Sequence, residues 1–248
     1  MSNSQYRPED FLSALAVAPD DKARPVLVGG QAVNFWAQLY AQKLPELKPW
    51  QPFLSKDCDV YGNREVAQRM QEKSGWTLSL FPPRGMAVAA LVASDGRTME
   101  VLNAVRGLTP KDFERMCVRV QVGERFLWIL NPVALLKAKL ANVAELDQSQ
   151  RQDRRHVSIL IPVVREFLSQ ALSEARAAED SERDVVTLME AALLVAISAD
   201  ANSWADVLGA RFAKLLPLAQ METTLLLKVR NFAEKRLPRA LRKSRNRN

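Results

Sequence analysis

Between Pro25 and Tyr61 an apolar run ends in two glycines, and a pair of aspartates two residues apart follows after an amphipathic stretch and a proline-rich insertion. This stretch limits the fold more than any other. Val26-Leu27-Val28-Gly29-Gly30-Gln31-Ala32, continued by the run Val33 to Ala41, reads as a buried strand that stops at a helix N-terminus. The glycines let the backbone turn tightly and present free N–H groups to an anion such as a phosphate. In Ser55-Lys56-Asp57-Cys58-Asp59-Val60, the spacing puts both carboxylates on one face of a strand and Cys58 and Val60 on the other. Paired carboxylates suit Mg²⁺, a hard ion that takes oxygen ligands and is usually shared with substrate phosphates.

The order of these features resembles the nucleotidyltransferase superfamily: an apolar strand, Gly-Gly or Gly-Ser, a helix, then Asp-x-Asp on the next strand. Within it the chain looks most like the toxin-type enzymes of abortive-infection toxin–antitoxin systems. That family carries a third carboxylate on a later strand, matched by Glu100 in Thr98-Met99-Glu100-Val101-Leu102, with Glu standing where Asp is usual. It also has a helix that opens with Pro and carries Leu-Leu-x-x-Lys-Leu, matched by Pro132 to Leu140, and an Arg/Lys-Asp pair on the next helix, partly matched near Asp153. The resemblance spans Val26 to Leu160. It implies a nucleotidyltransferase-like α/β fold, a mixed β-sheet domain with flanking helices, expected over residues 1–130; an α-helical bundle domain is expected over 131–236, and charge marks a basic C-terminal tail over 237–248.

The chain has 248 residues, 48% of them apolar, enough for a sizeable core. Its longest apolar-rich segment, Val185 to Ala199, is interrupted by Glu190 and flanked by Asp184 and Asp200, so a buried helix is expected rather than a membrane span. Residues Met1 to Asp10 lack a charged stretch followed by an apolar core, and a cytoplasmic protein is expected. Cys58 and Cys117 are the only cysteines and His156 the only histidine, which excludes a disulfide framework and an ordinary structural zinc site. Charge is uneven. Lys228 to Asn248 holds nine Lys or Arg and one acidic residue, a balance of +8 within a total of +7, so the other residues sum to about −1. Such a segment either neutralises RNA or DNA phosphates or is simply a solvated terminus.

Eight of the nine glycines fall at or before Gly123, so the first half is expected to hold strands and turns and the second half helices. The pattern predicts a helix over Pro8 to Val17, and an irregular insertion over Lys43 to Phe53, where Pro45, Pro49 and Pro52 oppose a regular helix. Asn63 should cap a helix over Arg64 to Lys73 that stops before Gly75. Strands follow over Trp76–Phe81, Ala87–Ala93 and Thr98–Asn103, the last two joined by a turn at Asp95-Gly96, and a hairpin pairs Cys117–Val122 with Arg125–Leu130. Parity on the third strand sets Glu100 with Thr98 and Leu102, opposite Met99 and Val101. Asn131-Pro132 begins a helix to about Leu146. Ser149 and Gln152 suggest a capping box for a helix to about Ala178, with a kink at Pro162. Helices over Glu182–Ala199, Ser203–Leu215 and Leu218–Arg236 complete the chain.

The resemblance implies a Mg²⁺-dependent enzyme, with two ions, that moves a nucleoside monophosphate from a nucleoside triphosphate to an acceptor hydroxyl. Asp57, Asp59 and Glu100 would be its metal ligands and catalytic residues, and Gly29, Gly30, Gln31, Ser55 and Lys139 would bind the nucleotide. The acceptor is an RNA such as a transfer RNA, a protein or a small molecule. An antitoxin protein is a further partner that the resemblance brings, and the basic tail an RNA contact. The alternative is a catalytically inactive nucleotide- or nucleic-acid-binding protein of the same fold. Arg154 and Arg155 place His156 on an exposed helix turn, away from chemistry. Cys58, Phe35, Trp36 and Trp128 are expected to be packing residues.

Overall fold

The glycine pair does what its neighbours require of it: strand β1 (Val26–Val28) ends and the next residue begins a helix with φ of 65° at Gly29, a backbone conformation that glycine adopts without steric cost. The computed structural model describes residues 5–15, 24–82, 84–177, 182–205, 207–208 and 212–245. After a short helix α1 (Leu12–Leu15), the chain runs through β1, α2 (Gly29–Tyr40), β2 (Cys58–Tyr61), α3 (Arg64–Ser74), β3 (Thr77–Leu80), β4 (Ala87–Val92) and β5 (Thr98–Leu102). Helix α4 (Pro110–Met116) leads into the hairpin β6 (Cys117–Val122) and β7 (Arg125–Leu130). Helices then dominate: α5 (Pro132–Glu145), α6 (Asp153–Ala177), α7 (Glu182–Ala196), α8 (Ala199–Trp204), α9 (Leu218–Thr223), α10 (Leu227–Asn231) and α11 (Leu237–Arg245). The architecture is therefore a mixed β-sheet with flanking helices followed by a largely α-helical region.

Seven strands form one sheet in the order β3-β4-β5-β2-β1-β7-β6. β1 runs antiparallel to β2 and parallel to β7, and β2 runs parallel to β5. Register decides which side chains share a face. Leu27 pairs with Val60 and Ile129, Val60 with Val101, and Cys58 with Met99; all six are fully buried, so this face is the core side. The opposite face carries Val28, Asp59 and Glu100 in adjacent register. One connected core runs from Phe11 to Leu237, and Trp36 of α2 donates its indole N–H to the Leu130 carbonyl (2.9 Å), tying the glycine-turn helix to the end of β7.

Most element boundaries follow local chemistry. The Asn63 side chain accepts from the Val66 amide at the start of α3, and Gly75 ends that helix at φ of 69°. Asn131 caps α5 through the Ala134 amide (3.0 Å), and Pro132 occupies its first turn. The insertion after α2 contains a 3₁₀-helix, Pro45–Trp50, a tighter winding that accommodates Pro49 where an α-helix would be penalised.

Other expectations change. The first predicted helix begins as a 3₁₀ turn, Pro8–Phe11, before α1, and its end at Val17 lies outside the described residues. Ser149 does not cap α6, because its hydroxyl bonds the Asp147 carboxylate (2.6 Å). Helix α6 itself runs as one element through Pro162 to Ala177, close to the expected end. The helix predicted over Ser203–Leu215 is instead the end of α8 and a separate 3₁₀ turn, Phe212–Leu215, with part of the interval outside the described residues. The one predicted over Leu218–Arg236 breaks at Thr224, which is extended, and α10 then passes through a π-turn, Phe232–Arg236, into α11. The start of the basic tail is thus helical, and Leu237 is buried in the core rather than solvated.

Candidate active site

Strand β2 delivers the aspartates at the edge of a cleft. Asp57 immediately precedes the strand and Asp59 is its second residue. Because β2 and β5 are parallel, Asp59 stands beside Glu100, so the third carboxylate joins the first two on the open face of the sheet. Antiparallel register with β1 brings Val28, and with it the glycine turn, opposite Asp59. The fit there is close: a Cβ at Gly29 would lie 2.1 Å from Asp59 Oδ2. Glycine is needed twice at this position, for its φ and for the room it leaves the carboxylate.

The cleft has a volume of about 470 Å³ and is lined by Gly29, Asp57, Asp59 and Glu100 on the sheet side. Its other wall comes from α5, through Leu135, Ala138, Lys139 and Asn142, and Arg106 and Arg151 also face it. The side chains of Asp57, Asp59 and Glu100 make no hydrogen bond or ion pair with another described residue. Burial pushes the Asp59 carboxyl above its usual range; Lys139 and Arg151 oppose the shift, while Glu100 and Asp57 add to it. This wall holds negative charge that nearby cations only partly offset.

The helical wall is built differently. Lys139, almost fully buried, donates to Asp153 Oδ1 at 2.7 Å, and Arg151 donates through Nε to Asp153 Oδ2 at 2.6 Å. Asn142 adds a donor to Oδ1 at 3.3 Å. Burial alone would raise the Asp153 pKa, but the charges and hydrogen bonds of Lys139 and Arg151 outweigh it and hold the carboxyl at about 2. The Asp expected to match a motif only partly is thus the anchor for the motif lysine.

Among the residues expected to bind a nucleotide, Gly29 and Lys139 line the cleft, and Gly30, Gln31 and Ser55 do not. The Gln31 amide instead donates to the Tyr6 carbonyl (3.0 Å) and more weakly to that of Ser55 (3.4 Å). The Ser55 backbone pairs with Tyr6, and a Cβ at Gly30 would meet the Ser55 hydroxyl at 2.9 Å and His156 Cε1 at 3.2 Å. Gln31 and Ser55 fasten the N-terminal segment beside the turn, and Gly30 leaves room for the Ser55 hydroxyl and for His156 of α6. His156 is buried rather than exposed, with neither ring nitrogen bonded among the described residues, because α6 turns that side inward under α2. Burial first, and then the Lys139 charge, press its pKa well below the ordinary imidazole value despite Asp153. The cleft residues that sequence reasoning missed are Arg106, Asn142 and Arg151. Asn142 was findable, three residues after Lys139 on the same helix face; the two arginines lie on connections whose course no periodicity dictates.

The oxygen donors available to a metal here are Asp57, Asp59 and Glu100. Among the described residues no group of three or more His, Cys, Asp or Glu side chains is gathered tightly enough to hold an ion unaided. Two carboxylates with further oxygens from a bound phosphate match the way Mg²⁺ is ordinarily held. Also among the described residues, no helix is long and apolar enough to cross a membrane. Compared with models of known protein families and with curated proteins, the chain matches none.

Proposed function

We propose that the cleft belongs to a Mg²⁺-dependent nucleotidyltransferase, in which an acceptor hydroxyl attacks the α-phosphate of a nucleoside triphosphate and pyrophosphate leaves. The observation that carries this reading is the meeting, in one cleft of about 470 Å³, of three carboxylates from two neighbouring strands with a glycine turn that opens a helix. Asp57 and Asp59 would hold the metal. Glu100, beside Asp59, would share it and accept the proton of the acceptor hydroxyl. When bound, Mg²⁺ supplies positive charge to the attacking and leaving oxygens. The α2 N-terminus, with Gly29 in the cleft wall, offers partial positive charge and free N–H groups to phosphate oxygens. Lys139, held by Asp153, adds a buried cation that offsets substrate charge. In keeping with the toxin-type resemblance, the acceptor is an RNA, a protein or a small molecule, and an antitoxin is the partner to look for.

Burial first, and then the Glu100 and Asp57 charges, raise the Asp59 pKa, and a cation bound among the three carboxylates would oppose both effects. The test is incubation with each labelled nucleoside triphosphate, Mg²⁺ and total cellular RNA, followed by separation of RNA, protein and small molecules. Label on one acceptor class, abolished by chelation and by Asp59→Asn, is the expected result. Binding of Mg²⁺-nucleotide with no transfer to any acceptor would replace the enzyme with a ligand-binding relative of the same fold.

A further inference from the structure

Of the cations facing the cleft, two are already committed. Lys139 and Arg151 both donate to Asp153, whose side chain is 2% exposed. Arg106 is placed otherwise. Its only described ion pair is with Glu145, at side-chain exposures of 32% and 54%, and a pair so open to solvent contributes little to stability. Its Nε is enclosed and has no acceptor among the described residues. A buried donor left unspent is disfavoured, so this pose of the guanidinium is poorly satisfied and open to a better partner.

The backbone under Arg106 is fixed even though the side chain is loosely held. Gly107 sits at φ of 76°, and a Cβ there would come within 2.6 Å of the Ala141 Cβ, so the connection after β5 lies directly on α5. Arg106 therefore projects from a stationary point on the cleft rim, with the sheet carboxylates and the α5 wall around the same space. A guanidinium offers paired, parallel donors that match two oxygens of a phosphate, and an open carboxylate such as Glu145 is an exchangeable partner for it.

We propose that Arg106 is the phosphate clamp of this cleft: it rests on Glu145 and transfers to the terminal phosphates of a nucleoside triphosphate, with Glu145 as the competing latch. The proposal rests on the triphosphate reading above and adds to it the residue that grips the end of the substrate remote from the reacting phosphorus. Two consequences separate a clamp from a structural arginine. Weakening the latch should improve binding, and the effect should be present for a polyphosphate without base or sugar.

The experiment is calorimetric titration of the full chain with inorganic tripolyphosphate and with a nucleoside triphosphate, each with Mg²⁺. It covers wild type, Arg106→Ala, Arg106→Lys and Glu145→Gln, with thermal melts to verify folding. Arg106→Ala should weaken tripolyphosphate at least tenfold, Arg106→Lys should recover part of that loss, and Glu145→Gln should tighten binding a fewfold. Unchanged tripolyphosphate affinity in Arg106→Ala, or no binding by wild type, overturns the clamp. If Arg106→Ala fails to fold, Glu145→Gln decides, since a latch predicts tighter binding and a stabilising surface pair does not. Normal clamp behaviour without transfer to any acceptor would sustain this proposal while removing the transferase reading.

Discussion

The two walls of the cleft hold their charges on opposite terms. On the sheet wall, Asp57, Asp59 and Glu100 stand together without a bonded cation, and the Asp59 carboxyl is driven upward by burial and by its neighbours. On the helical wall Lys139, Arg151 and Asn142 converge on one carboxylate, and Asp153 is driven down to about 2. One arrangement is complete within the chain and the other is not. An internally satisfied network is what a fold needs of a scaffold, whereas uncompensated carboxylates beside a glycine turn are costly unless a cation repays them. On the proposed function, the ligand would belong to the sheet wall and the positioning work to the helical wall.

The largest effect should come from neutralising the sheet wall. Asp57→Asn and Asp59→Asn keep the shape and remove a charge, so nucleotide transfer should fall by orders of magnitude, because metal-borne charge stabilisation amounts to several kcal/mol and each ~1.4 kcal/mol is tenfold in rate. Glu100→Gln should be as damaging to rate while leaving much of the nucleotide affinity. Stability should move the other way: Asp59→Asn relieves a carboxylate that burial and like charges disfavour, and the melting temperature should rise by about 2–4 °C for each ~1 kcal/mol relieved. Measured transfer rates near wild type, or a lower melting temperature in Asp59→Asn, would erase the distinction between the walls.

Breaking the helical wall should cost stability. Asp153→Ala leaves Lys139 buried without its partner, and removal of one member of a buried pair typically destabilises by about 3–5 kcal/mol. Adding Lys139→Met should restore much of that loss, since the stranded charge is then gone. Urea unfolding of the single and double variants checks both statements. A double variant no more stable than Asp153→Ala would mean that the pair is not a unit.

How far the residues themselves announced these walls differs as well. Period-two alternation placed Glu100 on the face opposite Met99 and Val101, and the hairpin of β6 and β7 was legible to the residue, because strand parity and turn glycines are local signals. The pairing of β2 with β5 was not local, yet the carboxylate trio followed from motif order. The Lys139–Asp153 bond crosses from one helix to another, and neither the Ser149 nor the His156 environment was readable. Ser149 had a nearer acceptor in Asp147, and His156 is preceded by two arginines in sequence but turned inward by α6. The breaks at Thr224 and after α8 were likewise missed, since apolar spacing continues across them and a 3.6-residue pattern does not report where a helix stops.

The joint between the sheet and α2 offers a smaller perturbation that still discriminates. Gly29→Ala forces a side chain into left-handed φ and onto Asp59 Oδ2, 2.1 Å from the new Cβ. Backbone strain of that kind costs about 1–3 kcal/mol, and the displaced aspartate should lose metal affinity in addition. Gly75→Ala is the control, since φ there is 69° but a Cβ meets nothing within 4 Å. Chemical denaturation should find a stability loss in both variants, larger in Gly29→Ala, where the clash with Asp59 adds to the strain, and Mg²⁺ binding impaired only in Gly29→Ala. Equal Mg²⁺ affinity in both would detach the glycine turn from the carboxylate site.

The finest distinction between the walls lies in their response to acid. Asp59 has a folded pKa above the unfolded value of 3.8, so the folded chain takes up its proton first and acidification favours folding through this group. His156 has a folded pKa well below the unfolded value of 6.5, so the unfolded chain is protonated first, and the stability present above pH 6.5 is lost as pH falls beneath it. Asp153 keeps its contribution until pH drops below 3.8 toward about 2, outside the window of interest. The Asp59 contribution is common to wild type and a His156 variant, so the difference between them from pH 7 to 5.5 isolates the histidine, whose share falls by no more than ~1.4 kcal/mol per pH unit for one proton. His156→Leu removes two unbonded ring nitrogens from the interior, should be neutral or stabilising at pH 7, and should flatten the acid slope. Urea midpoints for wild type and His156→Leu at pH 7, 6.25 and 5.5 measure it. Parallel pH profiles would mean that the helical wall tolerates a charged imidazole, and that the asymmetry between the walls does not extend beneath α2.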